Sequence, residues 1–251
     1  MKCDPYLYPG TEVLINKGNH HSQEALDSME ADYVSARIKA LMLNPLPGEY
    51  DFLHLCKIHH WIFQDIYEWA GKTRSINIEK SEYVLGGLSV EYSDFKNIQK
   101  DAENAIESLN SIEWQQLNDE AKANEFSKHM AQLWRIHGFR EGNTRTVVTF
   151  CCLFAESRSI PLEPSLFEKY SGYVRNALVA ASAIFKDLGD RSDLSYLKKI
   201  VMDSMIQGRE KERPKSIKEK LVAAKVEADR LNAERAANRS IPEPNRYDRG
   251  R

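Results

Sequence analysis

Nine consecutive residues, His137-Gly138-Phe139-Arg140-Glu141-Gly142-Asn143-Thr144-Arg145, bring together a base, a carboxylate, a glycine turn, an amide and a guanidinium. These are the parts needed to hold a nucleotide polyphosphate and pass a piece of it to another molecule. The apolar run from Thr146 to Phe154 follows directly, so the segment reads as a tight loop opening a helix. Backbone N–H groups of Gly142, Asn143 and Thr144 at such a helix start have no intrahelical partner and face any anion placed there. Gly142 permits a backbone conformation that a β-carbon resists, and Glu141 is a candidate ligand for a Mg²⁺ ion bridging phosphate oxygens. Arg145 has the forked donor geometry that grips phosphate through paired hydrogen bonds. An ordinary histidine is largely neutral at pH 7, so His137 is the candidate proton acceptor. Phe139 reads as an apolar plug anchoring the loop, and Arg140 as facing solvent or a partner.

The elements that must position these groups are mainly helical. Asp51 is placed to cap a helix whose apolar residues Phe52, Leu55, Ile58, Ile62, Phe63 and Ile66 recur at three- and four-residue steps. The stretch from about 119 to 136 repeats the pattern with Phe126, Met130, Leu133 and Trp134, which leaves His137 at the end of a buried helix. Further helices are expected at about 22–42, 94–110, 143–158, 164–182 and 191–206. One segment departs from helical periodicity. Residues 75–80 alternate polar and apolar, and Tyr83-Val84-Leu85 and Leu88-Ser89-Val90 flank Gly86-Gly87, a two-residue hairpin signal. A lone hairpin is marginal in water, so this one must lean on the helices.

The nine residues resemble the signature of the Fic family, His-x-Phe-x-(Asp/Glu)-Gly-Asn-Gly-Arg-x-x-Arg. His137, Phe139, Glu141, Gly142, Asn143 and Arg145 match it, while Thr144 stands at a usual glycine and Val148 at the expected second arginine. The likeness extends from about Tyr6 to about Met205 and includes Trp69-Ala70-Gly71-Lys72-Thr73-Arg74, similar to the family's lead-in to its flap. The resemblance implies a mostly α, Fic-like helical bundle with one β-hairpin flap, and a Mg²⁺-dependent transfer of AMP from ATP to a Ser, Thr or Tyr hydroxyl of a target protein. In that scheme His137 is the base and Glu141 the metal ligand. The residues 142–144 and the Asn143 side chain steady the α-phosphate, and Arg145 takes the outer phosphates. The target docks along the hairpin at about residues 75–92, where Lys80 and Ser81 are candidates for touching nucleotide. Two alternatives stay open: a transferase of the same fold that uses another donor or moves phosphate, favoured by the Thr144 and Val148 departures, and a non-catalytic binding module.

The family's inhibitory element carries (Ser/Thr)-x-x-x-Glu-(Gly/Asn). Here Ser/Thr-x-x-x-Glu occurs only at Ser75 to Glu79 and Ser159 to Glu163, neither followed by Gly or Asn. Any restraint is therefore expected from a separate antitoxin-like protein or from the chain's own tail.

Composition sets the outer bounds. With 42% hydrophobic and 29% charged residues among 251, the chain has the balance of a globular protein. Its net charge of −2 splits unevenly: residues 209–251 hold 13 Lys+Arg against 8 Asp+Glu, leaving the rest acidic. An acidic body argues against a nucleic-acid partner. No run reaches the roughly 18 apolar residues of a membrane span, and the start lacks the apolar core of a secretory signal. Cys3, Cys56, Cys151 and Cys152 have neither disulfide nor zinc spacing, which suits reduced thiols in the cytoplasm. Two parts are expected, a catalytic domain over 1–208 and a charged extension over 209–251. In the extension, residues 215–238 could form one long helix with a sparse apolar stripe.

Overall fold

Polar caps set where several helices begin. The computed structural model describes residues 4–212 together with Lys225 and Arg230. Ser22 accepts a hydrogen bond from the Ala25 amide at 3.5 Å and opens α1 (Gln23–Leu43). Asp51 takes the His54 amide at 2.7 Å and opens α2 (Phe52–Phe63). After α3 (Ile98–Asn110), Asn118 takes the Ala121 amide at 2.9 Å and starts α4 (Asp119–Ile136). Each cap satisfies one of the amides that a helix start leaves unpaired, typically contributing about 1 kcal/mol. Then come α5 (Asn143–Ser157), α6 (Ser165–Lys169), α7 (Ser171–Ala181), the short strands β1 (Ile184–Phe185) and β2 (Gly189–Asp190), and α8 (Ser195–Glu212).

The core is built around α5. Thr146, Val147, Thr149 and the unbroken run Phe150–Ala155 are buried, so this helix is covered on nearly all sides. It packs against α1, α2 and α4. Ile58, Ile62 and Phe63 from α2, Phe126 and Trp134 from α4, and Leu26 and Leu41 from α1 are essentially inaccessible around it. Removing each such side chain from water contributes roughly 1.5–3 kcal/mol. The consequence for the site is rigidity: α4 delivers residue 137 and α5 begins at residue 143, both from the centre of the core.

The chain divides into two compact units, Met1–Arg209 and Glu210–Arg251. The helix expected over 215–238 lies outside the described residues except for Lys225 and Arg230, and Cys3 lies outside them too. Cys56, Cys151 and Cys152 are free thiols. No helix among the described residues is long and apolar enough to cross a membrane.

The structure corrects the sequence reading in two places. The single helix expected over 164–182 is broken at Tyr170 into α6 and α7. The break lets Leu166 and Phe167 on one axis and Val174, Ala177 and Leu178 on the other all reach the core. The second correction concerns the hairpin. Gly86 and Gly87 do reverse the chain, with φ of +64° and +95°, and the Glu82 amide reaches the Leu88 carbonyl at 3.1 Å. No strand ladder forms in residues 75–92, however. Tyr83–Leu85 coil into a 3-10 turn, and the Lys80 amide is taken by the Ser89 hydroxyl at 3.0 Å rather than by a cross-strand carbonyl. The antiparallel strand pair sits instead at β1 and β2, Ile184 opposite Asp190 and Phe185 opposite Gly189. With two residues per strand, that pair is too short to show an alternating pattern in the sequence.

Candidate active site

The helix α4 ends in a left-handed turn at His137, φ +51°, whose amide bonds back to the Trp134 carbonyl at 3.0 Å. This is an unfavourable conformation for a residue with a β-carbon, and it turns the imidazole sideways off the helix. The ring stacks on Tyr92 with centroids 4.0 Å apart and lies perpendicular to the Trp134 ring, 5.2 Å between centroids. It is 4% exposed, and neither nitrogen has a hydrogen-bond partner. Burial, reinforced by the Lys80 cation, pushes its pKa well below 6.5. At neutral pH the ring is therefore uncharged, with one nitrogen carrying a free lone pair.

Glu141 is the electrostatic centre of the loop. One carboxylate oxygen accepts from the Gly142 amide at 2.9 Å and lies 3.7 Å from Arg145 Nη2. The other accepts from Lys80 Nζ at 2.9 Å. Burial raises the pKa of this acid, but Lys80, the Gly142 amide and Arg145 together outweigh it and bring the pKa down to about 2. The carboxylate itself thus occupies a cradle made of two cations and a backbone N–H, the donor set a phosphate would use. Gly142 is required twice over: its φ is +81°, and a β-carbon there would come within 2.2 Å of the Phe63 ring.

Arg145 lies over that same Phe63 ring, 4.8 Å from its centroid, and pairs with Glu30 of α1 at 2.7 Å. Glu30 in turn accepts the Tyr67 hydroxyl. The oxygen of the Asn143 carboxamide accepts the Phe139 amide at 2.9 Å and its nitrogen donates to the Phe139 carbonyl at 2.7 Å, so the side chain fastens the loop. Its second side-chain N–H and its backbone N–H are the donors left to meet an anion. Thr144 uses its hydroxyl to accept the Trp134 indole N–H at 2.9 Å, which ties the start of α5 to the ring beside His137. Ser81 is exposed and donates to the Gly87 carbonyl at 3.0 Å, within its own turn. The structure therefore gathers His137, Glu141, Gly142, Arg145 and Lys80, and leaves Ser81 outside. Arg140, expected to face solvent or a partner, is paired with Asp4 at 2.8 Å. Val148 packs partly buried against the core.

Several positioning groups were not read from the sequence. Arg74 is fully buried and donates to the carbonyls of His137 at 2.8 Å and Ile76 at 2.7 Å, and also to that of Ser93. It fastens the loop and both ends of the flap segment with one guanidinium. Glu82 is likewise buried and takes both Arg175 nitrogens, at 2.8 and 2.9 Å, which holds the flap to α7. His59 accepts the Gly71 amide at 2.8 Å through Nδ1 and lies 3.1 Å from the Glu141 carbonyl through Nε2, with its ring stacked on Phe139 at 3.8 Å. Burial pushes its pKa down to about 3. A signal for His59 existed, since it falls four residues from both Leu55 and Phe63 on the apolar stripe of α2. Glu82 and Glu30 carry no local signal, their partners lying far away in sequence, and Arg74 was read only as the end of the lead-in motif, without its buried bonds.

Comparison with known proteins adds an independent line. The Fic/DOC family model matches residues 49–155. The chain is 33% identical over 167 residues to the probable protein adenylyltransferase y4lH of Sinorhizobium fredii, covering 66% of this chain and 82% of that protein. The chain belongs to the Fic/DOC family. A second Fic relative, the protein adenylyltransferase VbhT of Bartonella schoenbuchensis, is 33% identical over 151 residues, which are 59% of this chain but 30% of VbhT. The Fic fold is shared with the crystal structure of BepC, a VirB-translocated effector from Bartonella tribocorum with bound AMPPNP. The TM-score there is 0.65 at 21% identity, covering 79% of this chain and 95% of that one. The sequence likeness of this Fic protein thus lies with enzymes named protein adenylyltransferases.

Proposed function

We propose that this chain transfers AMP from ATP to a side-chain hydroxyl of a target protein. The observation that carries the reading is the pairing of an uncharged, unpartnered His137 with an anion cradle of Gly142 N–H, Lys80 and Arg145 in one site. His137 accepts the proton of the target hydroxyl, whose oxygen attacks the α-phosphorus while pyrophosphate leaves with the electrons of the broken P–O bond. The cradle stabilises the charge that grows on the phosphate oxygens, the main source of acceleration in such transfers.

The donor set fits Mg²⁺ only as an ion shared with the nucleotide. Glu141 is an ionised carboxylate standing alone, and no group of three His, Cys, Asp or Glu residues able to hold a metal occurs among the described residues. Mg²⁺ commonly takes one or two carboxylates plus phosphate oxygens and water. When bound, it supplies neutralisation of phosphate charge, and Glu141 is the residue that would hold it.

The target chain is proposed to dock along residues 75–92, whose tip carries Tyr83 at 97% exposure with Val84 and Leu88 also open to solvent. A cytoplasmic site of action, in the cell of origin or in a cell reached by secretion, suits this reading, as does restraint by a separate antitoxin-like protein. A second reading has its own observation: Arg145 already shares Glu30, and Val148 offers no second cation, so a diphosphate donor would lose less here than ATP does.

Labelling the purified chain and candidate targets with α- and γ-labelled ATP tests the proposal. Label from the α position alone, lost in His137→Ala by a factor of about 10² or more, is the expected result. Transfer of γ label, or a His137→Ala variant retaining a tenth of the activity, would sink it.

A further inference from the structure

A loop that binds phosphate through backbone amides must hold those amides pointing the right way. In the peptide unit joining Glu141 to Gly142, the carbonyl and the N–H lie in one plane and point in opposite directions, because the bond is trans. The Gly142 N–H points at the carboxylate in the cradle, 2.9 Å away. The Glu141 carbonyl points away from it, toward His59 Nε2 at 3.1 Å. Flipping this one peptide would turn the N–H out of the cradle and bring a carbonyl dipole into it.

Hydrogen bonding decides which form His59 takes. Its Nδ1 accepts the Gly71 amide at 2.8 Å and so carries no hydrogen. A neutral ring then has its hydrogen on Nε2, and Nε2 donates to the Glu141 carbonyl. The ring cannot swing, since it stacks on Phe139 at 3.8 Å and packs against Phe63 at 4.8 Å with no exposure to solvent. Gly71 can reach it because φ there is +83°, which glycine adopts without strain.

We propose that His59 is a positioning residue that, through the carbonyl of Glu141, aims the Gly142 N–H into the nucleotide cradle. The idea rests on reading that cradle as the nucleotide site, and it assigns a buried helix histidine a part in nucleotide binding without its touching the nucleotide. It also gives the Ala70-Gly71 turn a purpose in the site, since the Gly71 amide is what forces the ring into its donating form.

Two substitutions separate the two bonds. His59→Asn keeps an acceptor near the Nδ1 position for Gly71 and removes the donor to Glu141. His59→Gln reaches the Nε2 position with an amide donor and gives up the Gly71 bond. Calorimetric titration of the full chain with ATP and Mg²⁺ is expected to show affinity weakened about tenfold or more in His59→Asn and within about threefold of wild type in His59→Gln. Equal losses in the two variants, scaling with their melting temperatures, would reduce His59 to a packing residue and overturn the proposal. Wild-type affinity in both would overturn it as well. If the variants do not fold, the imidazole ¹⁵N signals of the wild-type chain at neutral pH decide instead. A hydrogen on Nε2 is the expected result, and one on Nδ1 overturns the proposal. A wild-type chain that binds no ATP would instead overturn the functional reading, while the ¹⁵N measurement, needing no nucleotide, still judges the His59 bond.

Discussion

Between His137 and Asn143 the loop is fastened from three directions by buried groups: the Asn143 carboxamide from within, the His59 ring from α2 and the Arg74 guanidinium from the lead-in segment. The flap at 80–92 is held differently. Two ion pairs, Lys80 to Glu141 and Glu82 to Arg175, the bonds of Glu91 to Arg135 and to the Lys186 amide, and the buried Val90 attach its two ends, while its tip, Tyr83, is almost fully exposed. Dense buried contacts define one geometry and resist change, whereas a segment anchored at its ends with an open tip yields at lower cost. On the proposed reading, a loop that holds phosphate gains from the first arrangement, and a segment that admits a nucleotide and a target chain gains from the second. His137 is stacked on Tyr92 and 4% exposed, so on the proposed reading a target hydroxyl reaches it when the flap yields.

Arg74→Ala should break the distinction altogether, since that side chain belongs to both regions. It would leave the His137, Ile76 and Ser93 carbonyls without their donor in a buried place. Each orphaned group costs about 1–3 kcal/mol, so a loss of roughly 3–5 kcal/mol in denaturant unfolding is expected, with activity abolished. A loss under about 1 kcal/mol would mean that water replaces the guanidinium and that the loop is not pinned as described.

Much of this arrangement was legible from sequence, for identifiable reasons. The cap Asp51, the α4 stripe and the His137-to-Arg145 spacing are local, so α2, α4 and the loop fell where their residues indicated. What escaped was non-local: Glu30 lies 115 residues from Arg145, Glu82 lies 93 from Arg175, and Arg74 lies 63 from His137. The Gly86-Gly87 signal gave the reversal correctly but not a ladder, because a serine side chain took the bond a strand would have made. The bonds from the Asn143 carboxamide to Phe139, which fasten the loop, were not read from the sequence either.

Acid should loosen the loop. His59 has a folded pKa of about 3, and that of His137 is also depressed, each against 6.5 when unfolded. Below pH 6.5 the unfolded chain takes up protons that the folded chain refuses, so stability falls as pH falls, down toward the folded values. At pH 5.5 His59 alone should cost roughly 1 kcal/mol relative to pH 7.5, and His137 acts in the same direction. Glu141 adds to this only lower down, from 4.5 toward about 2. Urea titrations across the range would show it. A flat profile to pH 5 would mean that these histidines are hydrated in solution, contrary to a sealed loop.

Glu82→Gln probes the flap alone. The variant removes the charge from a bidentate pair whose hydrogen bonds to a charged partner are worth about 1.5–3 kcal/mol, while Arg175, partly exposed, can turn to water. Chymotryptic cleavage at Tyr83 follows the population of open flap when closure is fast, so it should rise by about tenfold with little change in global unfolding. Cleavage at the wild-type rate would show that Lys80 and the turn's own hydrogen bonds suffice, and the flap would then belong with the rigid region.

Thr144→Gly, at the seam between the two regions, should have the smallest effect on transfer. The family glycine would restore open space at the start of α5, which favours phosphate approach. Yet the threonine hydroxyl here accepts the Trp134 indole N–H, and the Trp134 ring packs at right angles to that of His137. Losing that acceptor leaves a buried donor unpaired at about 1–3 kcal/mol, and glycine adds up to about 1 kcal/mol of helix cost. Stability should therefore drop by about 2 kcal/mol while AMP transfer stays within about threefold of wild type, equivalent to about 0.65 kcal/mol in barrier. The two numbers are separable by measuring unfolding and initial rates on the same preparation. If transfer instead falls by more than about tenfold, the indole is part of what aims His137, and the rigid region extends through Thr144 into the base itself.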